Sequence, residues 1–258
     1  MWFKIMSFLK FLLKSNNHHG IHSPFVYELV THCFYTKTKI EYISTFNRIR
    51  QSLFNNHTLI EVQDFGRGSK IFKGNERMVS KIAKVAGIGR KRAYLLMRMA
   101  HYLNPKQILE IGTSVGLGTA ALSLGNSQAQ IISLEGCSNT SNIALNLFKE
   151  FRLNNIHLEI GEFKNTLPLT LKNNNIDLIY FDGNHDKTAT LNYFEACLGS
   201  VTNDSVFIFD DIYWSAEMKE AWDIIKNNEK VRVSIDIFYW GLVFFRKEQR
   251  KQHFTIRV

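Results

Sequence analysis

Ile108–Thr119, ILEIGTSVGLGT, is the stretch whose reading decides the fold. It begins inside an apolar run, Gln107–Ile111, that reads as a strand, and Thr119–Leu124 continues as a helix. Between them stand Gly112, Gly116 and Gly118. Glycines at a strand-to-helix turn let the backbone approach a ligand closely. The spacing is E-x-G-x-x-x-G-x-G. It departs from G-x-G-x-x-G, in which a pyrophosphate sits on the helix N-terminus. Here Glu110 precedes the glycines. A carboxylate in that place would repel a pyrophosphate, but it can bond the amino group of a methionine moiety.

The same rhythm continues downstream. Gln130–Leu134 and Ile156–Ile160 read as strands, with a helix over Asn142–Phe151 between them. Ile176–Phe181 and Ser205–Phe209 are further strands, alternating with helices over Thr188–Leu198 and Ala216–Lys226. This alternation predicts a mostly parallel sheet with helices on both faces. The last two runs, Val231–Phe238 and Gly241–Arg246, are separated only by Tyr239 and Trp240. A parallel crossover needs a dozen or more residues, so this pair must be an antiparallel hairpin. The expected fold is α/β, Rossmann-like and doubly wound: a mostly parallel seven-stranded sheet with a terminal antiparallel hairpin. Residues 1–78 read as an N-terminal helical extension and 79–258 as the main domain.

Acids and small residues recur at the strand ends. Glu135 closes the second strand, where an acid would accept hydrogen bonds from both hydroxyls of a ribose. Gly161-Glu162-Phe163 follow the third, placing an acid and an aromatic where an adenine would lie. Each signal is weak alone. Their order along the chain makes Glu110, Gly112, Thr113, Ser114, Gly116, Gly118, Glu135, Gly161, Glu162 and Phe163 a candidate nucleoside site.

The motifs LEIGTSVGLGT (109–119), YFDGNHD (180–186) and FIFDDIYW (207–214) resemble those of the catechol O-methyltransferase-like family, over roughly residues 80–246. HGIHSPFVYELV (19–30) and GLVFFR (241–246) extend the likeness to bacterial methyltransferases typical of Bacteroidetes. The resemblance implies a class I fold, S-adenosylmethionine (SAM) as cofactor, and methyl transfer to a small-molecule hydroxyl. Asp182, at the end of strand four, would border both cofactor and acceptor. Asp182, Asp210 and Asp211 would share the carboxyl edge of the sheet near the reacting methyl. Carboxylates that close repel one another unless a cation intervenes, and an oxygen donor set suits Mg²⁺. The family pattern has Asp-Asn where this chain has Asp210-Asp211. It also has a lysine base three residues after the first aspartate, where this chain has His185. An imidazole with a pKa of roughly 6.5 is a competent base near neutrality. The bland alternative is that the aspartates only cap the helices that follow.

Bulk properties set the remaining bounds. The 258 residues, 45% of them hydrophobic, suffice for a sizeable core. Cys33, Cys137 and Cys197 are far apart and form no C-x-x-C, which suits a reducing cytosol. The net charge of +9 makes tRNA a rival acceptor, contacted through Arg67–Arg77 and Gly89-Arg90-Lys91-Arg92. A SAM-binding protein without turnover is a third reading. The first fourteen residues are too short to span a membrane and lack a signal-peptide cleavage site. On a helical wheel Lys4, Ser7, Lys10 and Lys14 share one arc, and Trp2, Ile5, Met6, Leu9 and Leu13 lie opposite. The apolar arc is expected to pack on the domain or on a second subunit in a homodimer. A membrane-surface helix is the alternative. Tyr213, Trp214, Tyr239 and Trp240 are candidate walls of an acceptor pocket.

Overall fold

The computed structural model describes residues 2–65, 72, 74–172 and 174–258. The chain forms two compact units, one of Met1–Tyr35 with Leu171–Val258 and one of Thr36–Thr170. The first opens with α1 (Trp2–Lys14) and α2 (Pro24–Leu29). Ser23 caps α2 by accepting from the Val26 amide, and Pro24 takes the first helical position, where its missing N–H costs nothing.

The second unit begins with α3 (Ile40–Phe54), β1 (Leu59–Glu61), β2 (Glu76–Met78), α4 (Val79–Val85) and α5 (Arg90–Leu103). There follow β3 (Gln107–Ile111), α6 (Leu117–Gly125), β4 (Gln130–Glu135), α7 (Ser138–Glu150), β5 (Ile156–Ile160) and α8 (Phe163–Leu171), which ends at the unit's boundary. β3, β4 and β5 pair in parallel, with Leu109 opposite Ile132 and Ser133 opposite Leu158. In β3, consecutive residues 108–111 are all buried, so both faces of the strand are covered. That burial explains why apolar residues occupy both faces of the strand, with Glu110 the one charged exception.

The first unit resumes with β6 (Leu178–Phe181), α9 (Lys187–Cys197), β7 (Val206–Asp210), α10 (Ala216–Asn227), β8 (Val233–Asp236), β9 (Trp240–Phe244) and β10 (Gln252–Thr255). Its strand order is β10-β8-β9-β7-β6. β6 and β7 are parallel, β9 runs antiparallel to both β7 and β8, and β10 is parallel to β8. The predicted terminal hairpin is therefore present. Its connection is Ile237–Tyr239, and Trp240 begins a strand instead of sitting in the turn.

The architecture is α/β and Rossmann-like, with mostly parallel strands alternating with helices. The strand count differs from expectation. β10 adds an eighth strand to the seven predicted, and its sequence QHFT is too polar and too exposed to carry an apolar signal. β1 and β2 form a separate antiparallel pair within the segment expected to be helical.

The N-terminal helix packs on its own unit through its narrower side. Ser7 and Phe11 are its buried residues, and Phe8 and Phe11 pack on Phe238 with ring centroids 4.8 and 5.5 Å away. The arc of Trp2, Ile5, Leu9 and Leu13 faces out, so of the two expected partners for that arc it does not pack on this unit. Among the described residues no helix is long and apolar enough to cross a membrane.

Candidate active site

In the second unit, the turn after β3 holds the chain in conformations that few residues adopt. Gly112 has φ 108° and Gly116 φ 88°, and Ser114 takes φ 50°. A Cβ on Gly116 would lie 2.7 Å from the Phe148 ring, so both the backbone angle and the space demand glycine. The turn is closed by Glu135, at the end of β4. One of its oxygens accepts from the Ser114 amide at 2.7 Å and the other from the Cys137 amide at 2.9 Å. The Gly161 amide donates to the Glu135 carbonyl at 2.9 Å. The candidate residues at the ends of β3, β4 and β5 are thus drawn together.

Glu110 is fully buried. Its Oε2 accepts from the hydroxyls of Thr119 and Ser133, the latter at 2.5 Å. Thr113 joins the same network through Ser133. Oε1 has no partner. Burial pushes the Glu110 carboxyl up to about 7. The two hydroxyls oppose that shift and the negative charge of Glu135 adds to it. Glu135 is also raised by burial, against the backbone amides that stabilise its charge. A buried carboxylate with one orphaned oxygen is costly unless a donor or cation meets it. Gly118 is buried inside α6. Phe163 starts α8, and Glu162 forms an exposed pair with Lys164.

In the first unit, Asp182, His185 and Asp210 place ligand atoms within 4.8 Å of one another. His185 Nε2 lies 3.8 Å from an Asp182 oxygen. Asp210 is buried and accepts from the Trp240 indole N–H at 2.6 Å, which fixes the plane of its carboxylate. Asp211 does not join this group. Its backbone turns at φ 49°, and its carboxylate lies 3.4 Å from Lys4 Nζ. The third donor is the imidazole of His185 in its place. Asn184 at φ 70° and His185 at φ 40° complete a set of left-handed residues after β6 and β7. Such conformations cost roughly 1–3 kcal/mol each and persist only where surrounding structure holds them.

None of the three aspartates caps the helix that follows. Asp186 caps α9 by accepting from Ala189, and Ser215 caps α10 by accepting from Met218. The aromatics divide. The Trp214 ring lies 6.0 Å from His185. Trp240 is buried and holds Asp210, and Tyr213 stacks on Phe238 and donates to Asp236 at 2.6 Å.

Two neighbours were not legible as site residues. Lys4, on α1, reaches Asp211 and stands 5.3 Å from the Trp214 ring centroid. Phe65 lies so close to Gly136 that a Cβ there would meet the ring at 2.6 Å. Both contacts join residues far apart in sequence, and no local pattern announces them. Of the basic clusters, residues 66–71 and 73 lie outside the described residues. Arg77 is buried in a two-pronged pair with Asp64, and the Arg90 Nε donates to Asn47, so neither is a bare cation awaiting a phosphate.

Residues 109–212 match the family model described as a methyltransferase domain. Similar solved structures then bear out the fold. An SAH-bound methyltransferase of Podospora anserina aligns with TM-score 0.59 at 15% identity, over 87% of this chain and 97% of that one. An O-methyltransferase of Bacillus cereus in complex with SAH gives 0.56 at 16%, over 84% and 96%. TomG of Streptomyces achromogenes, an O-methyltransferase of tomaymycin synthesis in complex with SAM, gives 0.56 at 13%, over 84% and 94%.

Proposed function

We propose that this chain is a SAM-dependent methyltransferase acting on a hydroxyl of a small-molecule acceptor, with a divalent cation at its reaction centre. The observation that carries the reading is Glu110. A fully buried carboxylate with an unpartnered oxygen, beside a glycine turn, fits a cationic ammonium group. Glu135, which closes the same turn at the end of β4 by accepting from the Ser114 and Cys137 amides, is assigned to the ribose hydroxyls. The matched methyltransferase domain and the SAH- and SAM-bound neighbours point the same way. SAM, when bound, supplies an electrophilic methyl group.

Asp182 and Asp210 are assigned to the cation. Their carboxylate oxygens suit a hard divalent cation such as Mg²⁺ or Mn²⁺. The cation, when bound, acidifies an acceptor hydroxyl. His185 takes the proton at Nε2, which lies 3.8 Å from an Asp182 oxygen. The Trp240 N–H holds Asp210 in place. The 4.8 Å grouping also favours a second reading, in which His185 is itself a cation ligand. His185→Ala separates the two: loss of turnover with cation affinity kept supports the base, and loss of cation affinity supports the ligand. Three buried free thiols accord with placing the enzyme in the cytoplasm.

The reading is tested by calorimetry with SAM and by mass spectrometry of metabolites from wild-type and deletion cells. Tight binding of NAD with none of SAM overturns it. A missing tRNA methyl mark redirects it to RNA.

A further inference from the structure

The outer face of α1 has no role in the proposed chemistry. Trp2, Ile5, Leu9 and Leu13 follow one another at spacings of three and four, which aligns them on one side of a helix. Their exposures are 75%, 46%, 48% and 88%. Phe3 and Phe8 extend the exposed apolar surface at its edges, so six of the thirteen residues of α1 are large, apolar and exposed. Patches beyond a few hundred Å² on a soluble protein mark an interaction surface.

The helix presenting this stripe is held in place. Phe8 and Phe11 pack on Phe238, and Ser7 is buried. Just beyond its C-terminal end, Asn16 donates to the Thr255 carbonyl and its own carbonyl accepts from Arg257. The stripe is therefore presented outward on a fixed helix.

Charge selects the occupant. α1 contains no acidic residue. Lys10 and Lys14 are exposed and have no acidic partner among the described residues. The whole chain carries +9. A second copy meeting this face through a two-fold axis would bring two further exposed lysines and no acid from its own helix to the rim of the contact. An anionic lipid surface attracts them, accepts the leucines and isoleucine below its headgroups, and suits an indole at its boundary. At thirteen residues the helix lies along such a surface and cannot cross it.

We propose that the outer face of α1 docks the protein on anionic membrane surfaces. This is independent of the methyltransferase reading. The test is flotation of the full chain with vesicles of phosphatidylcholine alone and of equal parts phosphatidylcholine and phosphatidylglycerol, with light scattering of the protein alone. Binding to the anionic vesicles only, weakening with salt, is expected. Lys10→Glu with Lys14→Glu should reduce partitioning at least about 25-fold, from roughly fivefold for each lysine. Leu9→Glu with Leu13→Glu should abolish binding with an unchanged melting temperature, because both side chains point outward. Trp2 should shift its emission to the blue on the anionic vesicles, and Trp2→Phe should remove the shift; Trp222 and Trp240 are buried. Folded protein that ignores anionic vesicles overturns the proposal. So does binding that survives Leu9→Glu with Leu13→Glu. A dimer that fails to float and dissociates on that double substitution would assign the face to a second copy.

Discussion

Glu110→Gln should make the protein more stable above neutrality and worse at binding SAM. The wild-type carboxyl is raised from 4.5 to about 7. The native state thus keeps its proton between those values while the unfolded chain has lost it. Stability falls as pH rises through that window, and the loss is complete above pH 7. At about 1.4 kcal/mol per pH unit, the full span costs the native protein about 3 kcal/mol. An amide keeps the shape. Its oxygen accepts from Thr119 and Ser133 as Oε2 does, and it carries no charge to desolvate. The variant should match wild type near pH 4.5 and exceed it by about 2–3 kcal/mol at pH 8, a rise in Tm of roughly 4–12 °C. Urea denaturation of the cofactor-free proteins at both pH values measures this. In the same samples SAM affinity should drop roughly tenfold or more, because a charge-assisted bond is lost. A variant no more stable than wild type at pH 8, or a gain equal at both pH values, would refute the reasoning.

Four further outcomes follow from the same geometry. Binding of SAM near pH 6.5 should release a proton from Glu110, seen as a calorimetric heat that varies with the buffer's ionisation enthalpy. Gly116→Ala should cost about 1–3 kcal/mol in a denaturant titration, from the left-handed φ and the Phe148 contact together. Trp240→Phe removes the donor on Asp210 and should weaken Mn²⁺ affinity about tenfold or more, while SAM affinity stays near wild type. Lys4→Met should shift the melting curve little, since the Asp211 pair is partly exposed, but should lower turnover if the Trp214 side is where the acceptor enters.

Much of the second unit was legible because its signals are local. The burial of both faces of β3 wrote an apolar run into the sequence, and the φ of Gly112 and Gly116 required glycine at fixed offsets. Asp182 and Asp210 were readable as strand-end acids. Asp211 stands apart from the grouped donors because adjacent residues on a turning backbone point apart, and at a left-handed φ the second one meets Lys4. α8 was missed because Pro168 lies inside it and its apolar residues are few. Which side of α1 packs on its own unit was not legible, because two phenylalanines meeting Phe238 decide it, and that partner is more than 200 residues away.

The division of the chain into units bears on its birth at the ribosome. Thr36–Thr170 is one uninterrupted stretch, whereas the other unit joins Met1–Tyr35 to Leu171–Val258. Vectorial synthesis therefore produces α1 long before its partners Phe238 and Asp211 and the β10 end that meets Asn16. At about 5–20 residues per second, residues 171–258 take roughly 4–18 s to emerge. During that interval α1 displays apolar side chains on its inner and outer faces alike. A nascent chain in that state is a client for a holdase, and crosslinking of Phe8 or Phe11 to chaperones should cease once residue 238 has cleared the exit.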